Sequence, residues 1–178
     1  EYTSMMNSMY ALAGNQIIKS YRSINSGANQ SLTGITTTIK HRPISRRFLD
    51  NFSDEEKKTD IRYNLWVNNK RQVVKPFFCG MRSAEFKLME AECCYHLNQV
   101  DRALQSINEL RAHRIQNYQN LKVDEIPAAL ANEIIQVDAQ GKPLTPVIRL
   151  ILKERRKEFL LEGDRFFEQK RNGGPEYW

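Results

Sequence analysis

TPVIRLILKERRKEFLLEGDRFFEQKRN, Thr145 to Asn172, decides how the chain folds. Thr145 followed by Pro146 reads as a helix start, a hydroxyl for the orphan N–H groups and then a residue whose missing N–H costs nothing there. Ile148, Ile151, Leu152, Arg155, Phe159, Glu162 and Phe166 recur at three- and four-residue spacing, as on one helical face. That face is apolar at both ends and charged in the middle. Arg155 and Glu162 need partners if buried, because an isolated charge away from water costs several kcal/mol. Glu154, Glu158 and Glu162 stand four apart, with Arg155, Arg156 and Arg165 in reach on adjoining turns. Gly163 is expected to end or bend the helix before a second piece, Asp164 to Arg171. A solvated charged face on a surface helix is the plainer alternative.

Upstream, Met81 to Arg114 reads as two antiparallel helices, Arg82 to Leu97 and Val100 to Arg114, broken at Asn98-Gln99. Ala84, Leu88, Ala91, Tyr95 and Leu97 line one side of the first; Ala103, Leu104, Ile107 and Leu110 line the second. Ala91 and Ala103 would let the two backbones approach closely, the composition of a tetratricopeptide-like pair. One copy is present and a stable array needs about three. The pair must therefore pack on the C-terminal helix or on parts of the protein outside this chain. The fold class is mainly α: this pair packed on a C-terminal helix, with long loops and a small β-hairpin.

The rest of the chain is less regular. Residues 1–13 have the apolar pattern of a short helix, and Gln16 to Tyr21 reads as helix or strand. Residues 23–42 form a polar loop whose hydroxyls and amides suit sugar hydroxyls, although a plain solvated loop is the simpler reading. A short helix is expected over Pro43 to Phe52, with Phe48, Leu49 and Phe52 inward, followed by a solvated charge run, Asp54 to Lys58. Strands around Leu65-Trp66-Val67 and over Gln72 to Phe78, joined at Asn68-Asn69, make the expected hairpin. Val123 to Ile135 has room for a short helix beginning near Pro127. Asp138 to Pro143 is a turn, and Gly173 to Trp178 a tail.

With 178 residues the chain can bury a substantial core as one domain, 1–178. Its net charge of +6 comes from 27 basic and 21 acidic residues, interleaved along the sequence. Nucleic-acid binders cluster such charge into a stripe with a reading motif, and none is present. Cys79, Cys93 and Cys94 cannot all pair within one chain and show no metal-ligand spacing; buried free thiols are expected. No signal peptide, lipid-attachment cysteine or membrane-spanning run is visible. Neither His41, His96 nor His113 lies beside a nucleophile motif. Glu154 and Glu158, one helical turn apart, would lie on the same side of any glycoside. Catalysis, a metal and a cofactor are not expected.

ERRKEFLLEGDRFFEQKRNG resembles the C-terminal signature of the SusD/RagB family, the surface-exposed nutrient-binding lipoproteins of Bacteroidetes outer membranes. Glu154, Arg155, Glu158, Glu162, Gly163, Arg165, Phe166, Phe167 and Lys170 occupy the places of that pattern. Arg82, Ala84, Glu85, Ala91, Glu92, Ala103, Ile107, Asn108, Arg111 and Arg114 are similar to the family's helical-pair segment, and Asp60 and Arg62 to its Asp-x-Arg. The resemblance covers about residues 43–172. It implies that the chain is the C-terminal portion of a longer protein, lipid-anchored at the outer-membrane surface through a segment outside this sequence. It further implies non-catalytic capture of an oligosaccharide or similar nutrient for polysaccharide utilisation, passed to a TonB-dependent, SusC-like transporter.

On that reading Glu154, Arg155, Glu158, Glu162 and Arg165 form a structural charge network. Ligand contacts are assigned to Trp66, Asn68, Asn69 and Arg71 of the hairpin and to Asn29, Gln30 and Thr36 of the polar loop, through ring stacking and amide hydrogen bonds. The alternative is a helical-repeat interaction scaffold that docks a partner peptide or the transporter and binds nothing small. A third reading, a glycoside-cleaving enzyme, requires reducing ends to be released from some glycan.

Overall fold

The fold, taken from a computed structural model, is described for residues 16–19, 42–75, 80–128, 137 and 141–172. It has two compact units, Glu1–Ser83 with Arg114–Gln116, and Ala84–His113 with Asn117–Trp178. The helix expected over residues 1–13, the polar loop, Cys79 and the C-terminal tail lie outside the described residues.

In the first unit, β1 (Gln16–Lys19) pairs antiparallel with β2 (Gly80–Arg82), in the register Gln16↔Arg82, Ile18↔Met81 and Lys19↔Gly80. The ambiguous run after Asn15 is thus a strand. Ser45 caps α1 (Arg46–Leu49), its hydroxyl accepting the Phe48 N–H at 3.2 Å. Phe52 meets Phe48 and Tyr63 edge-on, at 6.1 and 5.4 Å between ring centroids. Within the charge run, Ser53 and Glu56 cap each other reciprocally at the start of α2 (Glu56–Thr59).

The strand expected at Leu65-Trp66 is instead the end of a helix, α3 (Ile61–Trp66). Asp60 starts it: the carboxylate accepts the Arg62 N–H at 2.9 Å and the Arg62 guanidinium at 3.0 and 2.7 Å, with both side chains fully buried. A cap that also neutralises a buried cation outweighs the weak strand preference of Leu-Trp-Val. Among the described residues the expected hairpin is one bridge, Val67↔Val73, while Gln72 pairs with Pro43; residues 76–78 of the second expected strand lie outside them. Residues 114–116 join this unit through Ile61 N–H to Arg114 C=O at 2.9 Å and Gln116 N–H to Thr59 C=O at 3.1 Å.

The second unit is helical. α4 (Ser83–His96) and α5 (Val100–Ala112) are separated at Asn98, which takes a left-handed φ of 59°. α6 (Pro146–Glu158) and α7 (Asp164–Asn172) follow. Ala84, Leu88 and Ala91 of α4, Ala103, Leu104 and Ile107 of α5, and Val147, Ile148 and Ile151 of α6 share one core. The pair is therefore buried against the C-terminal helix, as its apolar spacing requires. Leu97 does not line α4: it lies past the helix end, 68% exposed.

Thr145 sits at the cap position of α6, but its hydroxyl donates to the Tyr95 phenol at 2.8 Å instead of capping. The helix stops at Glu158, before Gly163. Leu161 and Gly163, at φ 61° and 83°, turn the chain left-handed and bring Asp164 back against Arg155. The expected turn near Pro143 is closed by a Val137↔Pro143 bridge with Gly141 at φ 77°. Val123–Glu125 form a 3₁₀ turn, and the short helix expected from near Pro127 falls mostly outside the described residues. Among the described residues no helix is long and apolar enough to cross a membrane.

Candidate functional site

The loop between α3 and Lys75 is held by its own first residue. Asn68 accepts the N–H groups of Lys70 and Gln72, each at 2.9 Å, and donates to the Gln72 side chain at 3.0 Å. Its amide is spent inside the turn. Arg71 stands at φ 59°, a region that costs a residue with a Cβ of the order of 1 kcal/mol. Its side chain, and that of exposed Asn69, have no hydrogen-bond or ionic partner among the described residues.

Trp66 is 2% exposed, with the Lys75 ammonium 4.5 Å from the ring centroid. That ring shows no free face to a sugar, and its indole N–H has no acceptor among the described residues. The structure thus brings exposed Asn69 and half-buried Arg71 to one turn tip, spends the Asn68 amide within that turn and buries the Trp66 ring. Asn29, Gln30 and Thr36 lie outside the described residues.

Charge in the second unit is organised around three carboxylates. Glu154, fully buried, accepts from Arg111 of α5 and from Lys157 at 3.0 Å. Glu92 of α4 accepts from Asn172 at 3.0 Å and from Arg171 at 3.3 and 3.4 Å, with Arg155 at 4.0 Å. Glu168 takes Arg165 and, at 3.8 Å, Arg156. Arg155 is shared between Glu92 and Asp164, and its guanidinium lies 5.3 Å from the Phe159 centroid. Glu158 is fully buried, Glu162 half-buried.

Spacing pointed to pairs along one helix, whereas most of these pairs join different helices. Glu92 and Glu168 were not read as hubs. The usable signal was a carboxylate among Leu88, Ala91 and Tyr95, the apolar side of its helix. Ion pairs that join different helices in this way fix those helices against one another. Among the described residues no group of His, Cys, Asp or Glu is arranged to hold a metal ion. Cys93 is exposed and Cys94 buried, both free thiols.

Burial raises the Glu92 carboxyl, but hydrogen bonds from Asn172 and Arg171 and the charges of Arg171 and Arg155 outweigh it and hold the group below its ordinary 4.5. A carboxyl depressed by folding contributes stability that is complete above its unfolded pKa and lost as pH falls through the folded one. Urea unfolding carried down through pH 4.5 should therefore show a steeper loss for the parent chain than for Glu92→Gln. Coincident acid limbs would refute the assignment.

The family model of the SusD family matches residues 7–177. No curated protein and no solved structure matches the chain. The match runs further toward the N-terminus than the motifs that first carried the resemblance, and it spans both compact units. The chain belongs to the SusD family, a family of nutrient-binding proteins associated with the outer membrane.

Proposed function

We propose that the chain is part of a non-catalytic nutrient receptor at the bacterial outer-membrane surface, lipid-anchored through a segment outside this sequence. It holds an oligosaccharide or similar nutrient and delivers it to a TonB-dependent, SusC-like transporter. The observation that carries this reading is the family match over residues 7–177. Among the described residues, the groups proposed to meet a polar ligand are Asn69 and Arg71; Asn29, Gln30 and Thr36 remain proposed contacts from the polar loop. An amide and a guanidinium at one turn tip can donate several hydrogen bonds to hydroxyl or carboxylate oxygens. The tip is held by the Asn68 side chain, so little order need be gained on binding. The buried ion pairs serve the fold.

Titration with a panel of glycans tests the reading, and absence of saturable binding to any of them favours the scaffold alternative. Arg71→Gly separates contact from support. Glycine relieves the left-handed strain, so the unfolding free energy should hold or rise by about 1 kcal/mol. The same variant should lose glycan affinity roughly ten-fold, as removal of one charged hydrogen-bonding group predicts. Unchanged affinity in Arg71→Gly together with Asn69→Ala would remove the tip from the binding surface.

A further inference from the structure

A cleft of about 710 Å³ runs along the outer side of α5, from Asp101 to His113, with residues 120–123 forming its other wall. Twelve residues of helix span about 18 Å, the length of five or six residues of extended chain. The wall is preformed. The Asn108 side chain donates to the Leu121 carbonyl at 3.0 Å and accepts the Leu121 N–H at 3.0 Å, treating that residue as a neighbouring strand would. The Tyr118 hydroxyl donates to Asn108 at 2.6 Å and accepts from Arg111 at 3.0 Å.

Leu104, Leu121 and Val123 give the cleft its apolar surface. Lys87 is engaged by Glu109 at 2.6 Å and Glu90 at 2.8 Å, and Lys122 lies 3.6 Å from Glu125. Asp101 and Asn120 are exposed and have no side-chain partner among the described residues. A chain of net charge +6 therefore presents, in this cleft, a free carboxylate and a free amide beside apolar surface.

We infer that this cleft docks an extended, apolar and basic segment of a partner protein, its backbone on the Asn120 amide and a cationic side chain on Asp101. Among the described residues no Phe, Tyr or Trp side chain lines the cleft, which disfavours stacking of a sugar ring. An open groove along a helix also suits an internal stretch that continues past both ends. The inference is independent of the nutrient reading.

The probe is a fluorescein-labelled, terminally blocked hexapeptide of alternating leucine and lysine, with its leucine–glutamate counterpart as control, titrated against the whole chain by anisotropy. The lysine peptide should bind at least about ten-fold more tightly than the glutamate peptide. Asp101→Lys and Val123→Glu, both at exposed positions, should each weaken it about ten-fold with the thermal midpoint unchanged. Equal binding of the two peptides overturns the inference, as does indifference to Asp101→Lys. Binding that requires free termini would make the occupant a free peptide, and displacement by a neutral glycan would make it a sugar; either result also overturns the inference.

Discussion

Glu154→Leu is expected to lower the unfolding free energy by about 3–5 kcal/mol, the cost of removing one member of a buried ionic set. Glu154 is 0% exposed and serves two cations, Arg111 from α5 and Lys157 one turn along its own helix. Taking it away leaves both cations in the interior short of a shared counter-charge. Leucine fills the space, so the loss reports charge rather than a cavity. Glu154→Gln keeps an acceptor and should fall between the two. The decisive comparison is the triple change Arg111→Met, Glu154→Leu, Lys157→Met. If the penalty comes from stranded charge, the triple variant recovers most of what the single variant loses. Urea unfolding of the set measures this, and a triple variant weaker than the sum of its parts would show that the charges stabilise on balance.

Asp60→Ala should cost a similar amount, about 3–5 kcal/mol, through a different combination of causes. The carboxylate caps α3 through the Arg62 N–H and holds the Arg62 guanidinium through both oxygens, all out of solvent. The cap alone is worth about 1 kcal/mol, and the buried pair supplies the rest. Asp60→Asn separates them, because asparagine caps as well as aspartate but carries no charge. Hydrogen exchange read by mass spectrometry over residues 60–67 should show faster exchange in Asp60→Ala, and slower exchange than that in Asp60→Asn. Equal protection in the two would assign the whole effect to the ion pair.

The helices were legible and their ionic partners were not. Ile148, Ile151 and Leu152 recur as a buried face must, and all three are in the core. The charges beside them stood out in the sequence because a core face rarely carries them. A sequence gives neighbours along a helix, however, and Glu154 pairs with Arg111, 43 residues away. Trp66 misled for a related reason. Leu65-Trp66-Val67 has a strand's composition, and the outcome was decided by Asp60 six residues earlier, through a buried ion pair that composition does not show. Of the tip, Asn69 and Arg71 were readable as polar turn residues, whereas the consumption of Asn68 within the turn needed the hydrogen bonds themselves.

The linked carboxylates of the second unit have a further consequence, for how this sequence can drift. Each charge lost alone leaves its partners short of a counter-charge, so single steps out of the arrangement are expected to be costly, whereas a complete apolar replacement is often neutral or stabilising in buried ion pairs of this kind. Random substitution proceeds one residue at a time and meets those costly steps first. An arrangement of this kind is expected to resist change by single substitutions, whether or not it is the most stable way to fill that space.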